Sequence, residues 1–411
     1  MSDMFRKLGT SGCDFHAALI GLLLGASGCM EPAAIGDSSL PLPAVSAVRP
    51  GDPGKSGVRS TTFTTAWFHS ISYSPIALAL GDMDGDHQLD IVAVNFYLTN
   101  IGLGLGSGHG ELLDINPVWA HAPSTSVAVG LADLNRDGML DVVVGSRDLG
   151  GSVLYGRAGG SLGAAVELPC VGTTSGLAIA DLNGDGVQDI VMADSTNTAV
   201  CVNFSTGAAD GYVAVWIDIG GQNNSPVIAD FNGDGRPDLA VGHIWGQSVS
   251  VLYGDGRGGF SSLQSLATDP EPRGLVGKDL DGDGRAELLV LHPGTSTIRL
   301  FWSLDKEQWK SAELTAHLSP VAAVAEDFDG DGNMDIAVAN YASSDVSLLL
   351  GDGQGHFNPP VHSYSGVKPI SLVAGDFDGD HHPDLVVGNL TTAAVRLLLN
   401  IERPKESDEQ R

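Results

Sequence analysis

Seven copies of one acidic loop recur through this chain at a near-constant interval. The first reads Asp82-Met83-Asp84-Gly85-Asp86-His87-Gln88-Leu89-Asp90, and the others begin at Asp133, Asp181, Asp230, Asp279, Asp327 and Asp376. Successive starts lie 51, 48, 49, 49, 48 and 49 residues apart. So regular a period means one supersecondary unit repeated, each copy burying its faces against the next. It overrides the two or three domains that 411 residues would otherwise suggest.

Each repeat has the same grammar. An apolar segment enters the loop, as in Ile76–Leu80, and a second apolar run leaves it, as in Ile91–Val94, Val142–Val144 and Leu385–Val387. These β-branched runs are continuous rather than alternating, which suits strands covered on both faces. A polar turn follows, then a third strand such as Val249–Tyr253, then a Gly-rich hairpin such as Gly254-Asp255-Gly256-Arg257-Gly258-Gly259-Phe260. A less regular fourth strand completes the unit. Four antiparallel strands per repeat predict an all-β fold, a seven-bladed β-propeller.

The chain ends predict how the ring closes. The seventh repeat stops at Asn400 after its third strand, and a spare strand precedes the first repeat. Phe63 lies 12 residues before Pro75, just as Phe260 lies 12 before Pro272 and Phe357 lies 12 before Pro369. Residues near 63–69 therefore stand in the register of a fourth strand and are expected to complete the last blade, removing the open edges.

The loops carry chemistry as well as architecture. Oxygens at positions 1, 3, 5 and 9, with a carbonyl near position 7, can surround one cation, and Ca²⁺ takes six to eight oxygens in flexible geometry. The expected ligands are Asp82, Asp84, Asp86 and Asp90; Asp133, Asn135, Asp137 and Asp141; Asp181, Asn183, Asp185 and Asp189; Asp230, Asn232, Asp234 and Asp238; Asp279, Asp281, Asp283 and Glu287; Asp327, Asp329, Asp331 and Asp335; and Asp376, Asp378, Asp380 and Asp384. Asp, Asn and Gly are also good turn formers. Crowding argues for a cation: two carboxylates 4 Å apart repel by about 4 kcal/mol at an effective dielectric near 20. The loop is not an EF-hand, since its last acid falls at position 9 and leads straight into a strand. Up to seven Ca²⁺ are expected. Repeats three, four and six carry Gly at position 6, and repeat two matches with Arg136 at a position expected to be tolerant. Repeats one and seven place His87 and His381 at position 6, and repeat five ends in Glu287; these three are expected to bind more weakly.

These Asp-x-Asp-x-Asp-Gly-x-x-Asp loops and Gly-Asp-Gly-x-Gly-x-Phe hairpins resemble the FG-GAP/VCBS repeats, which also build the head of integrin α subunits. The resemblance spans residues 61–400; some hairpins lack the Phe, as at Ser161-Leu162. It implies a calcium-stiffened propeller outside the cell. Its members include adhesion receptors, fungal lectins and some carbohydrate-cleaving enzymes, so it leaves function open.

The remaining signals concern export and partners. Arg6 and Lys7 precede an apolar stretch from Ala17 to Gly28, too short for a confident membrane span. It ends in Ala26-Ser27-Gly28-Cys29, similar to a bacterial lipobox, so residues 1–28 read as a lipoprotein signal with Cys29 as the acylated residue. Residues 29–60 read as a flexible tether, 61–400 as the propeller and 401–411 as a charged tail. The expected location is the outer membrane or cell surface, otherwise the periplasm or medium, with the lipid as the sole membrane contact. Cys170 and Cys201 read as buried free thiols, with a disulfide as the alternative.

The net charge of −29 argues against nucleic-acid binding. The rim opposite the acidic loops is the expected binding surface, carrying Phe96, Tyr97, His243, Trp245, His292, Asn340, Tyr341 and Asn389. Trp245 and Tyr341, then Phe96 and Tyr97, are the foremost candidates for stacking on a sugar or filling a protein pocket. The Gly-x-Ser-x-Gly at 159–163 sits in a hairpin, not on a strand-to-helix elbow. No metal-spaced His pair or triad stands out. The leading expectation is an interaction or adhesion module for an extracellular or envelope protein or glycan. A polysaccharide lyase or hydrolase is the alternative, and a purely structural envelope protein a third.

Overall fold

The computed structural model describes residues 61–69, 75–95, 100–118, 125–207, 211–304, 308–391 and 394–402. The expectations for residues 1–28, Cys29, the tether up to residue 60, Phe96, Tyr97 and residues 403–411 lie outside these. Among the described residues no helix is long and apolar enough to cross a membrane.

Among the described residues, short β-branched runs between turn signals become 28 strands in seven four-stranded antiparallel sheets. The chain opens with β1 (Thr61–His69). Blade one holds β2 (Pro75–Gly81), β3 (Asp90–Asn95), β4 (Ile101–Gly106) and β5 (Leu112–Val118); blade two holds β6 (Ser126–Ala132), β7 (Asp141–Ser146), β8 (Gly150–Arg157) and β9 (Ser161–Glu167). Blade three holds β10 (Thr174–Ala180), β11 (Asp189–Asp194), β12 (Ala199–Ser205) and β13 (Tyr212–Asp218); blade four holds β14 (Asn223–Ala229), β15 (Asp238–His243), β16 (Ser248–Gly254) and β17 (Phe260–Ala267). Blade five holds β18 (Gly274–Lys278), β19 (Glu287–His292), β20 (Thr297–Leu304) and β21 (Gln308–Leu314); blade six holds β22 (Pro320–Glu326), β23 (Asp335–Asn340), β24 (Asp345–Leu349) and β25 (Val361–Tyr364). Blade seven holds β26 (Pro369–Gly375), β27 (Asp384–Asn389) and β28 (Ala394–Glu402), and β1 is its outer strand.

The ring therefore closes as expected, by a strand from the chain's beginning. β1 pairs with β28 from Thr61↔Glu402 to His69↔Val395. Pairing with Thr61 and Thr62 carries β28 to Glu402, two residues past the boundary read from the sequence at 400. Phe63 meets the ring of Phe328 edge-on with centroids 5.9 Å apart, and it joins the core between blades six and seven. Phe260 and Phe357 join the corresponding cores between blades three and four and between blades five and six. The twelve-residue register thus marks one structural role.

The core lies between blades. The second strands, such as Asp90–Asn95 and Asp238–His243, are buried along their whole length because a blade covers each face. The residue at loop position 2 (Met83, Leu134, Leu182, Phe231, Leu280, Phe328 or Phe377) is also buried, and burying such a side chain contributes roughly 1.5–3 kcal/mol.

Cys170 and Cys201 form a disulfide with Cα atoms 6.0 Å apart, which corrects the reading of two free thiols. Both are buried in a cluster shared by blades two and three. Cys170 lies between β9 and β10 and Cys201 on β12, so the bridge staples the link between these blades to a strand of the second. Chain separation of 31 residues gave no sign of this proximity.

Candidate functional site

Each acidic loop joins the first and second strands of a blade, so all seven lie on one rim. The loops share one hydrogen-bond plan. The carboxylate at position 1 accepts the N–H of position 6 in every repeat: His87, Gly138, Gly186, Gly235, Gly284, Gly332 and His381 donate at 2.7–2.9 Å. The side chain at position 5 turns back to accept the N–H of position 7, as in Gln88 to Asp86 at 2.8 Å. The acid at position 9 accepts the N–H of position 2, as in Phe231 to Asp238 at 2.9 Å and Leu280 to Glu287 at 2.7 Å.

Two positions in each loop take the left-handed conformation. Position 6 does so with φ between 69° and 90°, including His87 at 69° and His381 at 70°. Both histidines therefore make the turn that Gly makes elsewhere. Position 4 also has positive φ throughout, with Arg136 at 60°. The position expected to be tolerant thus accommodates Arg136, at a cost in backbone strain that Gly avoids in the other repeats. Arg136 turns its guanidinium outward and donates to the carbonyl of Asp185 in the next loop at 2.7 Å.

Position 9 also ties the loop to the third strand. In six repeats its second oxygen accepts an N–H from the end of the third strand, as in Gly106 to Asp90 at 2.9 Å and Gly254 to Asp238 at 2.8 Å. The donor is Gly106, Gly156, Gly254 or Gly351 in four of them. At these four, a Cβ would press into the carbonyl of position 8, which explains the first Gly of the hairpin. Glu287, one methylene longer, has Leu280 as its backbone donor.

These acids are 0–1% exposed. Burial pushes the carboxyls of Asp90, Asp141, Asp189 and Asp238 up to about 6, against the pull of two N–H donors each. Asp335 and Asp384 rise to about 7 and Glu287 to about 8, burial again being the main cause and loop carboxylates adding to it.

Four repeats bring three acidic groups to within 4.8 Å of one another: Asp82, Asp84 and Asp86; Asp279, Asp281 and Glu287; Asp327, Asp329 and Asp335; and Asp376, Asp378 and Asp384. These clusters can hold a metal ion, and their hard carboxylate oxygens fit a hard divalent cation. In repeats two to four the third position is Asn135, Asn183 or Asn232, whose Oδ1 accepts the N–H of Asp137, Asp185 or Asp234 at 2.9–3.0 Å. Neighbouring loops are joined by the Gly-rich hairpins. Gly258 donates to the carbonyl of Leu182 at 3.0 Å and Gly110 to that of Phe377 at 2.9 Å. Blade seven has no such hairpin, and the side chain of Asn400 donates instead to Phe328 at 2.7 Å.

The opposite rim follows no such plan. Its expected residues separate into two groups. His243, His292, Asn340 and Asn389 are 0–6% exposed and bonded inside the fold: His243 Nε2 lies 2.7 Å from Ser250 Oγ, and Asn389 donates to the Ser365 carbonyl at 3.1 Å. They close a layer of buried polar residues with Asn95, Ser146 and Asp194, each five residues after the last acid of its loop. That fixed offset was readable in the sequence. Tyr341 is 6% exposed, with Lys368 over its ring at 5.5 Å. Trp245 is 61% exposed, and Leu149, Val171, Leu318 and Val367 are also exposed on this rim. The structure further brings together His317, Asp345 and His362, which sequence reading missed because they come from three separate elements.

The repeat profile described as FG-GAP-like repeat matches residues 82–144, 133–192, 181–241, 279–338 and 327–387. Among curated proteins no similar sequence is found. Similar solved structures include an Agrocybe aegerita lectin that recognises non-reducing terminal N-acetylglucosamine. It is 19% identical with a TM-score of 0.56, over 78% of this chain and 86% of that one. The Pseudomonas aeruginosa periplasmic gluconolactonase is 19% identical with a TM-score of 0.54, over 77% and 88%. A streptogramin B lyase is 12% identical with a TM-score of 0.56, over 83% and 98%. At these identities the likeness is one of fold.

Proposed function

This chain belongs to the FG-GAP-like repeat family, and on that premise we propose that it is a calcium-stiffened interaction module that acts outside the cytoplasm. Calcium sits in the acidic loops, up to seven ions in all, and locks the loops and the hairpins clasped to them. A protein or glycan partner docks on the opposite rim, with Trp245 as the central contact and Phe96 and Tyr97 as further candidates; Tyr341, 6% exposed and covered by Lys368, supports this surface from beneath rather than contacting a partner. The observation that carries this reading is the contrast between the rims. One is uniform and acidic, and the other varies from blade to blade and exposes Trp245, Leu149, Val171, Leu318 and Val367. Exposed aromatic and apolar groups on a polar surface are what binding faces use. The Cys170–Cys201 bridge supports an oxidising compartment. The lipobox-like sequence at 26–29 supports a lipid anchor on Cys29.

Calorimetric titration of chelator-treated protein tests the metal half of this reading. The expected isotherm has a stronger class of sites and a weaker class from repeats one, five and seven; absence of saturable Ca²⁺ binding would refute it. Binding of the purified chain to a broad glycan array, with calcium and with chelator, tests the partner half. Calcium-dependent capture of a defined sugar, lost in Trp245→Ala, supports a lectin-like module. No capture by folded protein shifts the partner to a protein. The lyase or hydrolase reading needs acids, His or Tyr converging outside the loops, and the His317–Asp345–His362 cluster is one such convergence. Release of reducing or unsaturated ends from a polysaccharide panel would promote it.

A further inference from the structure

We propose that His317, Asp345 and His362 form a second kind of metal site, one that takes a zinc-class divalent ion on the rim opposite the acidic loops. The three residues converge from the link between blades five and six, the start of β24 and the outer strand β25, and their ligand atoms lie within 4.8 Å of one another. The donor set is chemically distinct from the loops. Two imidazoles and one carboxylate suit zinc and its first-row neighbours, whereas calcium prefers oxygen alone.

Two of the three ligands are held in place from behind. Asp345 has a side chain only 13% exposed, and its Oδ1 accepts from Asn340 Nδ2 at 2.9 Å and from Ser343 Oγ at 3.1 Å. That leaves Oδ2 presented to His317, whose Nδ1 lies 2.6 Å away. On His362, Nδ1 lies 2.9 Å from Ser347 Oγ, and Asn340 donates to that same hydroxyl at 2.8 Å. The contact fixes the ring and leaves Nε2 as its outward nitrogen. Such supporting hydrogen bonds are how ligating histidines and carboxylates are oriented in metal sites. The two imidazole rings stack with centroids 4.5 Å apart at an interplanar angle of 27°.

The arrangement is not something the fold requires. The residue at the start of the third strand, opposite the last residue of the second, is Gly150 in blade two, Thr297 in blade five and Ala394 in blade seven, against Asp345 in blade six. The outer-strand residue facing the third strand at the Ser347–His362 level is Ser265 opposite Ser250 in blade four and Glu313 opposite Arg299 in blade five. Only a modest adjustment is needed to close the site. Zinc–ligand bonds of about 2.0–2.1 Å place tetrahedral donors roughly 3.3 Å apart, and the exposed His317 ring can turn toward the fixed His362 and Asp345 to reach that spacing. Three protein ligands leave a fourth position for water or for a donor group on a partner.

The test uses the full chain, stripped with chelator and exchanged into excess Ca²⁺ so that the acidic loops are saturated. Zn²⁺ is then titrated in competition with a chromogenic chelator, and Co²⁺ is added in parallel as a spectroscopic probe. The expected result is one Zn²⁺ per chain and visible Co²⁺ bands of a nitrogen- and oxygen-ligated centre. His317→Gln and His362→Gln should each weaken Zn²⁺ binding at least about tenfold and bleach those bands, with Ca²⁺ stoichiometry and melting unchanged. His109→Gln, at an exposed hairpin position on the other rim and outside the acidic loops, should leave both readings as in the parent. No saturable Zn²⁺ binding in calcium, binding that survives the His317→Gln/His362→Gln double variant, or an equal loss in His109→Gln would overturn the site.

Discussion

At the acidic rim, position 1 accepts from position 6 and position 9 accepts from position 2 in all seven blades. At the opposite rim, equivalent positions hold Asn95, Ser146, Asp194, His243, His292, Asn340 and Asn389, each with its own partners. The same strands thus end in a repeated device on one side and in divergent chemistry on the other. Repetition marks what the ring needs to stand. Divergence marks where each blade can satisfy its own buried polar group in its own way.

This contrast can be broken in several ways. The largest expected effect is on closure: deleting residues 61–69 removes β1 and the Phe63–Phe328 contact, and should abolish cooperative melting. A truncated chain that melts like the parent would show that blade seven does not need its outer strand. Next is the pH response of the calcium-free chain. The position-9 acids have folded pKa values raised to about 6 to 8, well above the unfolded values near 4. The folded state therefore holds protons that the unfolded state has released, and this stability is full below pH 4 and lost as pH rises through 6 to 8. Melting temperature in chelator should fall between pH 5 and pH 8, and Ca²⁺ should restore most of the loss. A rise over that range would mean the acids ionise without penalty.

Replacing both Cys170 and Cys201 by Ser should cost about 3–4 kcal/mol in denaturant titration, from the chain entropy released when a loop of this length opens. Gly254→Ala pushes a methyl group into the Pro237 carbonyl and should cost about 1–3 kcal/mol. A negligible change would show that blade four can follow the backbone path of blade three, where Ser205 makes the same contact to Asp189. The smallest effect on stability, within about 0.5 kcal/mol, is expected for Trp245→Ala, whose consequence should appear only in partner binding.

The sequence carried the period, the blade count and the closing strand because each rests on local pattern: apolar runs, turn residues and the distance from Phe63 to Pro75. It carried the acidic loops for the same reason. It did not carry the left-handed backbone at Arg136, since that requirement is visible only in φ and six Gly residues elsewhere concealed it as mere turn preference. Nor did it carry the second duty of Asp238 and its equivalents, whose partner lies 15 or 16 residues away at the end of another strand. The Cys170–Cys201 bridge and the His317–Asp345–His362 cluster were hidden for a stronger reason. Each joins residues from different elements, and proximity there is decided by how blades sit side by side.

The pairing of Thr61 with Glu402 has a further consequence. β28 starts beside Asn389 and runs toward the acidic loop, where the Asn400 N–H meets Asp384 at 2.8 Å. β1 runs the other way, so it begins on the acidic side. Both ends of the ring's chain therefore leave from the same side, and the body has a direction. Thr61 and Glu402 thus sit together at the acidic side, at the end of their blade away from the rim that carries Trp245.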